Sequence, residues 1–330
     1  MTNVKIKALG AYLPEKTILS EYFDEKFNLE KGSSERKSGV KTRHYAENET
    51  LAQMGAFAAF EAVKKANINL EDIDCIISAG GVMQQPIPCT ASLIQKELGL
   101  EKSGIACFDI NSTCSSFVTA FDTASYLIAG GRYRNVLIVS SDIASAGLDF
   151  DDPKSCILFG DAACAAVITN SQEVETSRII DYKMATYSEG AEYTCVKGGM
   201  SFLHASKYSD ENKKDYLFYM DGMKIYELAS RLLKNHVYEL LERNNLSFDD
   251  IKLVIPHQAG IMSMKLIQKK LKIPNEKYLY AIENVGNTIA SSIPLALNQT
   301  IENNLIQRGD KVMLLGTSAG FSIGVMILEY

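Results

Sequence analysis

Three blocks of this chain recur in the same order at a nearly constant offset, and this internal repeat constrains the fold more than any single motif. Ile68 to Ile77 falls on Leu246 to Ile255, Asn111 to Phe117 falls on Asn287 to Ile293, and Asn135 to Ser141 falls on Lys311 to Thr317. Each copy carries short all-apolar strands, Asp74 to Ser78 and Asn135 to Ser140 in one, Leu253 to Ile255 and Lys311 to Leu315 in the other. Strands of that kind belong to sheets covered on both faces. The expectation is a duplicated α/β fold, with layered helices over two mixed, mainly parallel sheets, and halves spanning residues 1–172 and 173–330. Ligands of open α/β layers bind beyond the carboxyl ends of strands. Cys114, His257, Asn287 and the turn at 316–320 all fall at such ends.

In the first copy, Cys114 lies between the extended segment Ala106 to Ile110 and a stretch where Phe117, Phe121, Ala124 and Ile128 recur at helical spacing. A helix N-terminus favours thiolate over thiol, so a sulfur with a lowered pKa and nucleophilic character is expected. A cysteine taken alone is more often an inert core group. The second copy has Ala290 at the matching position, so only one half can carry this nucleophile. That copy offers instead Asn287, which is equally a turn residue, and His257 directly after Pro256.

Composition narrows the chemistry. A net charge of -6 with no long single-sign run argues against a nucleic-acid partner. Seven cysteines, an odd number without a C-x-x-C pair, and four scattered histidines suggest neither a disulfide framework nor a zinc site, and point to a reducing compartment. Met1 to Lys16 has no apolar signal core and no run reaches the length of a membrane span, so a soluble cytoplasmic protein is expected.

The remaining elements follow from local signals. Lys31 to His44 reads as a polar loop rich in Lys and Arg, either solvated or docking an anionic ligand. Cys156 to Asp161 followed by Ala162 to Ile168 reads as two strands around a Gly-Asp turn, and the polar stretch from Glu173 to Asp215 as a crossover with an excursion. Pro294 is placed as a first helical residue with Ser292 as its cap.

Several stretches together identify a relationship. They are Ser38-Gly39-Val40-Lys41-Thr42-Arg43-His44, the Cys114 segment, Ile157-Leu158-Phe159-Gly160-Asp161, Met220-Asp221-Gly222, Pro256-His257-Gln258-Ala259, Gly286-Asn287-Thr288 with Ala290-Ser291-Ser292, and the terminal Gly-containing turn. Through them the chain resembles the β-ketoacyl-acyl-carrier-protein synthase III family of the thiolase superfamily along essentially its whole length. The resemblance implies a homodimer of thiolase-like fold and a Cys-His-Asn triad at Cys114, His257 and Asn287. It implies acylation of Cys114 by a thioester, with the backbone N–H groups of Cys114 and Ala319 as oxyanion hole. A malonyl group on an acyl carrier protein then decarboxylates, and His257 and Asn287 donate to the enolate. Acyl-coenzyme A or acyl-carrier protein would be the donor, and no metal or other cofactor is implied. The carrier protein is the implied partner, and because carriers are acidic, Lys265 and Lys269 are candidate docking residues, a solvated helix face being the alternative.

This chain also departs from that pattern. It contains no Trp, where family members that use acyl-coenzyme A stack one on adenine, so binding of that donor would rest on Arg36 and Lys37. Gly260 replaces the usual Asn after His-Gln-Ala, and Thr317-Ser318-Ala319-Gly320 replaces a Phe followed by glycines, which makes Thr317, Ser318 and Gly320 pocket-shaping residues. Ile87 stands where a larger residue often closes the acyl pocket across a dimer. The expected function is decarboxylating condensation in fatty-acid initiation or a specialised pathway. The alternatives are acyl transfer from Cys114 to an alcohol, amine or β-keto acceptor, and a silent scaffold.

Overall fold

The computed structural model describes residues 2–172 and 175–330; residues 173 and 174, where the expected boundary between the halves falls, lie outside the described residues. The first half contains β1 (Val4–Tyr12), a hairpin of β2 (Lys16–Leu19) and β3 (Thr42–Tyr45), β4 (Cys75–Ser78), β5 (Ala106–Asp109), β6 (Asn135–Asp142) and β7 (Ala162–Asn170). Its helices are α1 (Ser20–Lys26), α2 (Ser33–Ser38), α3 (Leu51–Ala66), α4 (Thr90–Glu97) and α5 (Ser116–Ala129). The second half has β8 (Arg178–Thr186), the short pair β9 (Thr194–Cys195) and β10 (Tyr219–Met220), β11 (Leu253–Pro256), β12 (Lys311–Ser318) and β13 (Ser322–Glu329). Its helices are α6 (Gly222–Arg243), α7 (Ile261–Leu271) and α8 (Ser292–Glu302).

The duplication is visible in the topology. One sheet has the order β1-β7-β6-β4-β5 and the other β11-β12-β13-β8. In each, two parallel strands (β4 and β6; β11 and β12) are followed by two antiparallel neighbours (β7 and β1; β13 and β8). β5 extends only the first sheet, parallel to β4.

Helices α5 and α8 are sandwiched between the sheets. Phe117, Phe121, Ile293 and Leu297 pack there against Val136, Ile138, Val312 and Leu314, all of them buried. Their apolar residues cover more than one face because sheets lie on both sides. The Ala-rich α3, started by a capping box of Thr50 and Gln53, covers the outer face of the first sheet. Its small side chains permit close approach: a Cβ on Gly10 of β1 would stand 2.3 Å from the Ala58 carbonyl oxygen. The outer face of the second sheet is covered by α6 and α7.

Four local expectations change. The stretch 31–44 holds α2 and β3, and its Arg43 is fully buried, its guanidinium donating to Ser20 Oγ and the Ile157 carbonyl and stacking over Phe23. Cys156 to Asp161 is a turn, with a single strand, β7, after it. Apolar residues suited it to a strand, but they pack as a small cluster with Phe23 and Tyr45. β8, within the supposed crossover, completes the second sheet; as an edge strand it is only partly buried, which hides its apolar signal. Finally, α8 begins at Ser292, so Pro294 is its third residue and Ser292 caps nothing.

The turn before β7 ties the halves together. Asn287 N–H donates to the Leu158 carbonyl (2.8 Å) and Gly160 N–H to the Asn287 carbonyl (3.1 Å), forming an isolated parallel bridge. Only glycine fits at 160, because a Cβ there would stand 2.2 Å from the Val285 carbonyl oxygen. Gly160→Ala is therefore expected to cost about 1–3 kcal/mol through overpacking, read as a lowered midpoint in chemical denaturation. An unchanged midpoint would mean that the bridge gives way without cost.

Candidate active site

Both copies build the same turn ahead of the helices that run between the sheets. Asn111 Oδ1 accepts from Thr113 N–H (2.9 Å), and Asn287 Oδ1 accepts from Ile289 N–H (3.0 Å). Thr113 (φ 50°) and Ile289 (φ 51°) are both β-branched residues in the left-handed region. Such conformations cost about 1–3 kcal/mol each and persist only where the surroundings impose them. They present Cys114 and Ala290 at equivalent points, each in a short 3₁₀ turn before its helix.

What fills the two turns differs. Asp142, fully buried at the end of β6, reaches the second copy: its Oδ2 accepts from the N–H groups of Ala290 (3.0 Å) and Ser291 (3.2 Å). Its Oδ1 accepts from Gly81 (2.7 Å) and Val82 (3.0 Å) of the first copy. Burial pushes this carboxyl up to about 7, against the pull of the four N–H bonds. The corresponding end of β12 carries Ser318, whose buried hydroxyl has no partner among the described residues. No carboxylate therefore occupies the first copy's turn, and the N–H groups of Ala319 and Cys114 lie near enough to the Cys114 sulfur to favour its thiolate.

That sulfur is not the thiolate that its position suggested. Burial, and then the nearby Asp142 carboxylate, push the Cys114 thiol up to about 12, and the two N–H groups pull it down too little to compensate. Desolvation around the sulfur, in a residue that is itself only half-buried, outweighs the turn's N–H groups and favours the thiol at rest.

His257 is also neutral. Burial lowers its pKa to about 4. Its Nδ1 lies 2.6 Å from Ser292 Oγ, which also accepts from Gln258 N–H (3.4 Å). A Ser292 hydroxyl that donates to Nδ1 leaves the imidazole proton on Nε2, the tautomer that the cavity side can use as a donor. Asn287 uses its Oδ1 within the turn and makes only a long contact from Nδ2 to the Ala259 carbonyl (3.4 Å). The second copy thus offers two neutral N–H donors.

Cys114, His257, Asn287, Thr317, Ser318 and Ala319 line one cavity of about 1300 Å3. Lys37 lines it as well, together with Pro153 and Lys154. Three expected pocket residues do not. Arg36 extends outward from α2 and pairs with Glu30 (3.3 Å). Gly320 supplies the left-handed turn (φ 78°) between β12 and β13, and its absent side chain faces open space. Ile87, expected to act across a dimer, is 84% exposed, on a loop whose Gln85 and Pro86 line this chain's own cavity. Lys265 and Lys269 are exposed on α7, and Met262 and Ser263 at the start of that helix line the cavity.

Two polar residues escaped the sequence reading. Ser292 pairs with Ser116 in the repeat, and its place two positions before a proline suggests only a cap. Asp142 follows Ser140 and Ser141 at the polar end of β6, where nothing in the sequence sets it apart from an ordinary strand end. Among the described residues, no group of His, Cys, Asp and Glu is arranged to hold a metal, and no helix is long and apolar enough to cross a membrane.

Duplicated halves around a half-buried cysteine define the class, a condensing acyltransferase of thiolase-like fold. Residues 108–188 match the family model described as 3-oxoacyl-[acyl-carrier-protein (ACP)] synthase III, and residues 241–330 match the model of its C terminal. A β-ketoacyl-[acyl-carrier-protein] synthase III of Clostridium beijerinckii is 34% identical over 331 residues, covering 100% of each chain. That of Aquifex aeolicus is 33% identical over 334 residues, covering 99% of this chain and 100% of its own. The crystal structure of the Aquifex aeolicus 3-oxoacyl-[acyl-carrier-protein] synthase III superposes with a TM-score of 0.87 at 32% identity, covering 99% of this chain and 100% of that one. The chain belongs to the 3-oxoacyl-[acyl-carrier-protein] synthase III family.

The raised thiol pKa sets an observable. Alkylation of Cys114 by iodoacetamide, followed by peptide mass spectrometry, is expected to accelerate with pH throughout the range 7 to 10. A plateau beginning below pH 8 would mean a thiolate at rest.

Proposed function

We propose that the protein takes an acyl group from a thioester onto Cys114 and condenses it with a malonyl group carried by acyl carrier protein, giving a 3-oxoacyl-carrier protein and carbon dioxide. One observation carries the reading: the Cys114 sulfur shares a cavity with Ala319, Asn287 and a histidine held neutral whose Nδ1 is engaged by Ser292.

In the first half-reaction the Cys114 sulfur attacks the thioester carbonyl. The carbonyl oxygen becomes an oxyanion between the Cys114 and Ala319 N–H groups, and the departing sulfur takes the proton that Cys114 loses. In the second, the malonyl group releases carbon dioxide, and its electron pair moves into an enolate whose oxygen accepts from His257 Nε2–H and Asn287 Nδ2–H. Carbon attacks the acyl-cysteine, and the released Cys114 sulfur takes a proton from solvent, as its raised pKa favours. The histidine never needs to become cationic, which suits a group whose pKa burial holds near 4. The chemistry needs no cofactor beyond its thioester substrates.

The reading extends to partner, assembly and place. The acidic carrier is proposed to dock on α7 through Lys265 and Lys269, beside the residues of that helix that line the cavity. A homodimer in the cytoplasm is proposed, serving fatty-acid initiation or a specialised pathway. With no Trp to stack on adenine and Arg36 turned outward, little is left for nucleotide recognition, which favours a donor delivered on a carrier.

Intact-mass spectrometry after incubation with an acyl thioester is expected to find one acyl adduct, lost in Cys114→Ala and retained in His257→Ala and Asn287→Ala, while condensation is lost in all three. An adduct surviving in Cys114→Ala rejects the reading, and turnover of the acyl-enzyme only with alcohol or amine acceptors replaces it with simple acyl transfer. Ser292→Ala releases the histidine tautomer, so the condensation kcat should fall about a hundredfold, whereas the acylation rate should stay within about twofold. Equal loss of both rates would assign Ser292 a merely structural part. Reversing charge at Lys265 and Lys269 is expected to raise KM for the malonyl-carrier substrate and flatten its salt dependence; no change in either would dismiss α7 as the docking face.

A further inference from the structure

The cavity must admit the arm of a carrier thioester as well as its acyl group, and beyond Cys114 its wall is apolar. At about 1300 Å3 it exceeds the roughly 300–1,000 Å3 of ordinary small-molecule sites. Much of its wall is deep: Leu51, Phe159, Ala229, Leu315 and Phe321 are buried from bulk solvent and yet line it. Cations appear in the lining only at Lys37 and Lys154. Four methionines, Met83, Met200, Met220 and Met262, add flexible apolar surface that can repack around chains of different shape.

Beyond the site itself, Gly147 and Phe218 form a meeting point of the two halves. Phe218 N–H donates to the Gly147 carbonyl (2.8 Å), the Phe218 ring packs edge-on against Phe159 with centroids 5.1 Å apart, and all three residues line the cavity. A Cβ on Gly147 would meet nothing within 4 Å, and its φ is one that any residue adopts. The wall there is open because no side chain fills it, and not because the backbone forbids one.

We propose that the acyl donor is a medium-to-long, unbranched apolar thioester, with Gly147 as a residue that sets the chain length admitted. The proposal rests on Cys114 being the acylated residue, as the condensing reading has it. A short primer would leave the deep apolar wall in contact with water, whereas each methylene buried against it adds about 0.8 kcal/mol, or close to fourfold in acylation efficiency, until the space is filled.

The test is the rate of Cys114 adduct formation, followed by intact mass, for a series of straight-chain acyl thioesters from two to fourteen carbons on one carrier. The wild-type kcat/KM for acylation is expected to rise severalfold per added methylene from the acetyl donor to at least eight carbons. In Gly147→Leu the ratio of twelve-carbon to four-carbon efficiency is expected to fall at least tenfold. An acetyl donor that reacts fastest, with decline at every added carbon, overturns the proposal and leaves the condensing reading intact. An unaltered ratio in a Gly147→Leu protein of wild-type thermal stability removes Gly147 as the determinant. Failure of every donor to acylate Cys114 overturns both the proposal and the reading beneath it.

Discussion

One buried carboxylate joins the two copies at the point where they diverge. Asp142 binds two N–H groups from the first copy, at Gly81 and Val82, and two from the second, at Ala290 and Ser291. A carboxylate taken out of water is tolerated only with such partners. Its placement fixes the loop that walls the cavity beside Cys114 and the turn that carries Asn287 and leads into Ser292. Asn287 and Ser292 stand on backbone that this carboxylate or the Leu158 to Gly160 bridge holds, whereas His257 is placed by β11, its N–H donating to the Leu315 carbonyl.

The duplication thereby becomes a division of labour. The same Asn-led turn, with the same left-handed residue, occurs twice. One copy has its N–H pair occupied by a protein carboxylate and carries an alanine. The other has a serine in place of that carboxylate and carries the cysteine, and in the proposed chemistry its N–H groups at Cys114 and Ala319 receive the oxyanion that forms during reaction. Burial keeps both the thiol and the imidazole neutral at rest. In the proposed chemistry, charge appears where donors already point, which is how a preorganised site lowers a barrier in a water-poor cavity.

The repeat made the fold readable before any coordinates, because duplication leaves paired strands and paired turns in register along the chain. It also drew attention to Cys114, His257 and Asn287, which the structure gathers in one cavity. What sequence could not supply was environment. The helix-start position of Cys114 argued for a low pKa, but the opposing desolvation comes from residues distant in the chain. The edge strand β8 hid among polar residues because half of it faces water. Ser292 looked like a cap, and only the approach of His257, brought by β11 from the neighbouring strand end, shows its hydroxyl used for something else. Arg36 and Ile87 sit at suggestive positions, and side-chain direction, invisible in a linear pattern, leaves both exposed on this chain.

The division of labour is tested most directly by removing the sulfur and asking whether the other half still works. Carbon dioxide release from malonyl-carrier protein should persist in the Cys114→Ala protein, the enolate taking a proton to give acetyl-carrier protein with no 3-oxoacyl product, and should vanish when His257→Ala is added. A folded Cys114→Ala protein that releases no carbon dioxide would contradict the account, because decarboxylation would then depend on the nucleophile's half as well.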